Sequence, residues 1–244
     1  MSEGRLFIVG TGLQLGHMTS ESKNAIRRAK KVLYLIPDPI TISEIQELND
    51  TAESLSSFYA EGKERIIIYN EIIDYIITSL QQFKDLCVAF YGHPGVYTYP
   101  SHKAINKAKK LNYEAKMLPA ISTEDCLFAD LGIDPGDSGS QSFEATDFLS
   151  SKKHFDPRCI IILWQIGILG FTTYQEKPVI TNFLTELKHH LLNHYESEQE
   201  IIFYEASSHR ILEPIITRSQ LSSLDRTNFT SISTLIIPPR NQKD

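Results

Sequence analysis

The chain has 244 residues, 41% of them hydrophobic, with a formal net charge of −6 and three cysteines. That length suits one large or two modest domains with a substantial core. The apolar content excludes a disordered chain, and the acidic balance argues against a nucleic-acid partner. No apolar run reaches the length of a membrane span, and polar Ser2-Glu3-Gly4-Arg5 leads straight into an apolar run, so neither a signal peptide nor a membrane partner is expected. Cys87, Cys126 and Cys159 each sit among apolar residues, the pattern of buried free thiols in a reducing cytoplasm.

Residues 5–9 (RLFIV) read as a buried strand. The strand ends in Gly10-Thr11-Gly12-Leu13-Gln14-Leu15-Gly16, a G-x-G-x-x-x-G loop one residue off the dinucleotide fingerprint and weak by itself. A helix is expected from about Thr19, with Ala25, Ile26 and Ala29 facing inward. Residues 32–35 form a second short strand, stopped by Pro37-Asp38-Pro39. Thr41-Ile42-Ser43-Glu44 has capping-box spacing and predicts the start of the next helix. Residues 51–65 are polar and partly irregular; Gly62-Lys63 lacks the upstream glycine and the following Ser/Thr of a phosphate-binding loop. Over residues 65–82 the recurrence of Ile66, Tyr69, Ile73, Ile76 and Leu80 predicts a helix. Arg65 and Tyr69, four apart, share one face of it, and on local chemistry alone they read as a surface cation beside an exposed ring.

Residues 87–90 form another apolar strand, broken at Gly92-His93-Pro94-Gly95, and a helical pattern restarts after Pro100-Ser101 with Ala104, Ile105 and Ala108 on one face. Glycines let the backbone approach a ligand closely, and Pro94 stiffens the turn. Ligands of open α/β sheets bind at such strand ends, although a plain strand–turn–helix connection fits the same local chemistry. Residues 114–118 form a strand running into Pro119-Ala120-Ile121, and Ser122 is placed to cap a helix over Thr123-Glu124-Asp125. Asp134-Pro135-Gly136-Asp137 reads as a turn. Composition then shifts toward β segments at 140–145, 159–164, 200–204 and 231–237, which places a domain boundary near 118–121 and gives domains 1–119 and 120–244. Residues 160–164 (IIILW) are apolar on both faces and predict a central strand, with Gln165 and Gly167 just beyond it. A helix over 178–194 carries His189, His190 and His194. With no third ligand in view the histidines predict a solvated face and no metal site.

Phe7-Ile8-Val9-Gly10-Thr11-Gly12 followed by Thr19, Tyr91-Gly92-His93-Pro94-Gly95-Val96, and Met117-Leu118-Pro119-Ala120-Ile121-Ser122 resemble the tetrapyrrole methylase superfamily of S-adenosylmethionine (SAM) enzymes. Asp38-Pro39, Tyr59-x-x-x-Lys63-x-Arg65-x-x-x-Tyr69, the block 122–132, residues 143–147 and 163–167 resemble, more narrowly, the borosin peptide N-methyltransferases. The similarity runs from about Leu6 to Pro239.

The resemblance implies an α/β fold of two α/β domains with SAM in the cleft between them, and methylation of backbone amides in a ribosomally made precursor peptide, with S-adenosylhomocysteine (SAH) as product. It implies catalytic roles for Arg65, Tyr69 and Tyr91. It implies SAM contacts from Gly10, Gly12, Tyr91, His93, Val96, Tyr97, Ser122, Thr123 and Gln165, and a homodimer as the assembly. Ser56 stands where the family often has an aromatic residue, which leaves one wall of the substrate pocket open. The chemistry suits these residue types. A peptide nitrogen is a poor nucleophile because its lone pair is delocalised, so charge must build on the carbonyl oxygen, to which a phenol or guanidinium can donate. A tyrosine near an arginine ionises more readily than its reference pKa of about 10. Tyr69 with Arg65 is then assigned as acceptor of the amide proton and Tyr91 as donor to the oxygen, with the reverse assignment of the two tyrosines open. Two other readings share the glycine loops: a small-molecule methyltransferase acting on a tetrapyrrole, and a non-catalytic SAM-binding scaffold. Only five polar residues follow Pro238-Pro239, with no apolar segment to methylate. The expectation is therefore a substrate supplied in trans, a split borosin in which a separate precursor with a leader-binding domain joins the enzyme as a heterotetramer and is methylated repeatedly.

Overall fold

The computed structural model describes residues 4–176 and 180–240. The chain divides into two compact units: one runs to Cys126 and takes in Ser207–Leu212, and the other is Leu127–Ala206 with the chain from Glu213 onward. Both are mixed α/β, each built on one five-stranded sheet, as the sequence leads one to expect.

The first unit contains β1 (Arg5–Gly10), α1 (Ser20–Arg28), β2 (Lys31–Leu35), α2 (Pro39–Leu48), β3 (Glu53–Ser54), α3 (Arg65–Phe83), β4 (Asp85–Phe90), α4 (Tyr99–Lys110) and β5 (Glu114–Leu118). Its strands lie in the order β3-β2-β4-β1-β5 and every pairing is parallel. A parallel sheet needs crossover connections and is covered on its faces. Here α1 packs with α2, and α3 packs with α4. Strands β1, β2 and β4 are therefore apolar runs: Ile8, Val32, Leu33, Leu86, Val88 and Ala89 are all fully buried.

Helix α5 (Thr123–Leu131) leads into the second unit. There α6 (Pro135–Ser138), β6 (Ser140–Glu144), α7 (Ala145–Ser150), β7 (Ile160–Trp164), α8 (Thr181–Leu191), β8 (Glu200–Glu205), β9 (Ile215–Gln220) and β10 (Thr234–Ile237) follow. The sheet order is β6-β7-β10-β8-β9; β6 runs parallel to β7 and the other pairs are antiparallel. All five residues of β7 are buried, as an internal strand apolar on both faces should be. Phe148, Ile161, Leu163, Leu187, Phe203 and Leu235 form part of a continuous core.

The structure corrects several local expectations. Helix α2 starts at Pro39, ahead of the Thr41–Glu44 pattern: Asp38 is the cap, accepting from both Thr41 N–H (2.8 Å) and Thr41 Oγ1 (2.6 Å). A proline at the first helical position lends its preset φ, so the Asp-Pro pair outcompetes the later Thr. The 134–137 turn is a single helical turn, capped by Asp134. Strand β9 and helix α7 have no counterpart among the predicted elements. The predicted histidine face is solvated only in part: His189 is exposed, whereas His190 and His194 are half-buried and lie edge-on to Phe155, His190 also to Phe148, so that pair belongs to an aromatic cluster. Residues 178 and 179 of that predicted helix lie outside the described residues. Cys87 is buried, its thiol pKa pushed up by that burial, whereas Cys126 and Cys159 are only half-buried. Among the described residues no helix is long and apolar enough to cross a membrane.

Candidate active site

Because the first sheet is wholly parallel, all its strands end at one edge. Gly10 pairs with Phe90, Phe90 with Leu35, and Val9 with Leu118, so the loops after β1, β2, β4 and β5 leave that edge at one level. The two glycine loops are joined to each other: Gly12 N–H donates to Gly92 O (3.2 Å) and Gly92 N–H to Gly12 O (3.0 Å). Tyr91 N–H donates to Leu35 O at 3.2 Å, fixing Tyr91 beside the end of β2. Gly10 is a point of close approach: a Cβ there would sit 2.3 Å from Gly92 O and 2.6 Å from both Pro94 Cδ and Ala120 Cβ. Gly92 differs. It holds φ +68°, and its Cβ position is open apart from Leu13 Cδ2 at 3.6 Å. Gly10 thus serves the packing of the loops, whereas the position beside Gly92 is open.

Each glycine loop is braced by a histidine. Gly95 N–H donates to His93 Nδ1 (2.9 Å), and Leu13 N–H to His17 Nδ1 (3.4 Å). An Nδ1 that accepts leaves the proton of the neutral ring on Nε2. Burial lowers the His17 pKa, which favours that accepting, neutral form. His102 Nε2 lies 2.9 Å from Gly95 O, so the 92–95 turn is held from both sides.

Among the described residues five non-glycines have positive φ: Lys84, Tyr97, Asn112, Lys152 and Gln165. Lys84, Asn112 and Lys152 follow the ends of α3, α4 and α7, where the left-handed conformation is an ordinary helix stop. Tyr97 (φ 49°) and Gln165 (φ 60°) have no such reason. Such backbone costs on the order of 1–3 kcal/mol and clusters at ligand sites. Both are residues the resemblance assigns to SAM, and Val96 and Tyr97 are exposed, at 36% and 47%. Gln165 lies in the second unit, directly after β7. Ser122 is buried and committed to capping α5: its Oγ donates to Asp125 Oδ2 (2.7 Å) and accepts from Asp125 N–H (3.2 Å). Thr123 is the first residue of that helix.

Helix α3 ends at Phe83 and β4 begins at Asp85, so α3 runs back from the carboxyl edge with its first turn at that edge. Arg65 is its first residue and Tyr69 lies one turn on. The Tyr69 ring stacks on Tyr99, the first residue of α4, with centroids 6.0 Å apart and 30° between planes. Tyr91 is half-buried; burial first, then the nearby Cys126 and Asp38, push its phenol above the ordinary tyrosine value. Tyr91 therefore keeps its proton and is suited to donate. The structure brings Tyr91, His93, Val96 and Tyr97 together with Gly10 and Gly12 at one edge, and sets Arg65 and Tyr69 at the same end of the unit. Sequence reasoning missed His17, His102 and Tyr99. The i+4 spacing from Leu13 to His17 was the available signal for the first, and none was available for the ring stack. Among the described residues no group of three or more His, Cys, Asp or Glu is arranged to hold a metal ion.

Residues 5–215 match the family model of Tetrapyrrole (Corrin/Porphyrin) Methylases. The chain belongs to the tetrapyrrole methylase family. Solved methylase structures share its fold. Uroporphyrin-III C-methyltransferase from Thermus thermophilus superposes with TM-score 0.67 at 12% identity, covering 96% of this chain and 92% of that one. A putative diphthine synthase from Entamoeba histolytica superposes with TM-score 0.66 at 16% identity, covering 99% and 94%. Nearer in sequence are two fungal proteins. One, described as a methyltransferase/ribosomally synthesized cyclic peptide gymnopeptides precursor, from Gymnopus fusipes, is 35% identical over 99% of this chain. Another, described as a methyltransferase/ribosomally synthesized cyclic peptide omphalotin A precursor, from Omphalotus olearius, is 34% identical over 98% of it. The chain spans 59% of the length of each of these two relatives.

Proposed function

We propose that this tetrapyrrole methylase uses SAM to methylate backbone amide nitrogens of a ribosomally made peptide. The observation that carries the reading is the placement of Arg65 and Tyr69 on the first turns of α3, at the sheet edge from which both glycine loops emerge, with Tyr69 against the helix that follows the Gly92–Gly95 loop. The names of the fungal relatives point the same way.

The residues at that edge fit a SAM site: the space at Gly92, the Nε2–H of His93 and the constrained backbone of Tyr97 suit a polar ligand lying along the loop. When bound, SAM supplies an electrophilic methyl group. The chain's residues deal with the amide. Tyr91, held protonated by burial, donates to the carbonyl oxygen as negative charge develops there. Tyr69, one turn from Arg65, takes the proton that leaves nitrogen while its own hydroxyl proton passes to solvent, and the Arg65 guanidinium balances the negative charge that develops on the amide. Placement in line with the methyl supplies the remaining acceleration.

The proposal includes a precursor supplied as a separate chain to a homodimer, with several methylations while its non-reacting part stays bound. Tethering would raise the effective concentration of the tail at the site. The test is SAH release on mixing the protein with SAM and either candidate precursor peptides or a porphyrinogen, with intact masses recorded. Release driven by peptide, with mass added to the peptide, supports the reading. Release driven only by the porphyrinogen, seen as a shifted absorbance, replaces it with tetrapyrrole methylation. SAH binding with no release under any condition makes the protein a scaffold.

A further inference from the structure

We propose that Tyr99 is a positioning residue that sets the Tyr69 ring for its reaction, an inference that rests on the peptide-methylation reading. Tyr99 opens α4 immediately after the loop that carries Tyr91, His93 and Tyr97. Tyr99 is 38% exposed as a residue, so packing in the core is not what fixes it. Instead it faces Tyr69 at 6.0 Å and 30°, an offset stack. Lys103, one turn further along α4, places Nζ 5.1 Å from the Tyr99 ring centroid. A cation over a ring face is attracted by its quadrupole and restrains the ring. The order Lys103–Tyr99–Tyr69 thus runs from the surface of α4 to the first turns of α3.

Tyr75, further along α3, shows the alternative way to hold a tyrosine: its hydroxyl is bonded to Glu53 Oε1 at 2.5 Å. A hydroxyl fixed in that way is oriented by the carboxylate and not toward a substrate. Holding Tyr69 by its ring face restricts the side-chain torsions and leaves the oxygen for the amide. The same contact couples the cofactor loop to the amide-activating helix, because α4 is the continuation of that loop.

The test compares Tyr99→Phe, Tyr99→Leu and Tyr99→Ala. The Phe variant keeps the stack and should keep kcat. The Leu and Ala variants should lose about tenfold in kcat, the scale of a well-placed ring pair, with KM for the peptide and Kd for SAH unchanged. A Leu variant with wild-type kcat, or a Phe variant as impaired as Ala, overturns the proposal. A second readout needs no turnover. With 3-fluorotyrosine incorporated, the Tyr69 fluorine resonance, assigned by its loss in Tyr69→Phe, should be one narrow line in wild type and in Tyr99→Phe. It should be broadened or split in Tyr99→Leu. An unchanged line in the Leu variant overturns the positioning role. A broadened line from a protein that methylates no peptide supports the brace and refutes the peptide reading.

Discussion

Gly10→Ala should damage the candidate site without touching a proposed catalytic group. The added methyl would lie 2.3 Å from Gly92 O, 2.6 Å from Pro94 Cδ and 2.6 Å from Ala120 Cβ. Unstrained carbon–oxygen contacts begin near 3.3 Å, so the Gly92 carbonyl would have to retreat by about 1 Å. None of the three atoms is the free end of a flexible side chain. The retreat breaks the Gly12 N–H bond to that carbonyl and strains its 3.0 Å reciprocal. Overpacking of this kind costs about 1–3 kcal/mol, and the lost bond adds about 1 kcal/mol. At roughly 2–4 °C per kcal/mol for a chain of this size, Tm should fall by roughly 5–15 °C. Because the displaced loop carries Gly92 and His93, SAH affinity should fall as well. Calorimetry gives both numbers, Tm from a thermal scan and Kd from titration with SAH. An alanine variant with wild-type Tm and wild-type SAH affinity would refute the argument that Gly10 is glycine because of this approach.

Three further outcomes are expected. Arg65→Ala and Tyr69→Phe should each slow single-turnover methyl transfer by about 10²–10⁴ while leaving SAH affinity intact, and normal turnover in either excludes the assigned roles. Tyr91→Phe should lower kcat by about 10²–10³, the scale of one oxyanion donor. Because burial raises the Tyr91 pKa, wild-type activity should show no loss from its deprotonation until pH exceeds the ordinary tyrosine value of about 10, and a loss at lower pH that is absent from Tyr91→Phe contradicts this. The lowered His17 pKa means that the folded chain binds this proton less readily than the unfolded chain. Its contribution to stability is therefore full above about pH 6.5 and is lost as pH falls through the lower folded value. The drop in Tm on acidification should shrink in His17→Asn, whose amide oxygen can still accept from Leu13, and an identical drop in both proteins rules out the lowered His17 pKa.

What could be read from sequence was what is local. The runs that became β1 and β4 end in glycine loops, and the period of α3 is carried by Ile73, Ile76 and Leu80, which are all buried. The start of α2 was misplaced because two capping signals lie three residues apart and only packing shows that the buried Asp38 is the one used. Strand β9 was invisible because it is an edge strand: Ile215 and Ile216 are exposed and Arg218 reaches Glu200, so no apolar alternation marks it. His190 and His194 have metal-ligand spacing, and only the neighbouring Phe148 and Phe155 show that the rings are packed. The left-handed backbone of Tyr97 and Gln165 leaves no trace in residue type, and the Tyr69–Tyr99 stack joins residues from two different helices.

The most direct measurement is tandem mass spectrometry of a candidate precursor peptide after incubation with the protein and SAM, with SAH quantified in the same sample. The account predicts methyl groups on backbone amide nitrogens of the peptide, one SAH for each, and at least about a hundredfold slower formation of both with Tyr69→Phe. Methyl groups confined to side chains or termini, or the same rate from Tyr69→Phe, would contradict it.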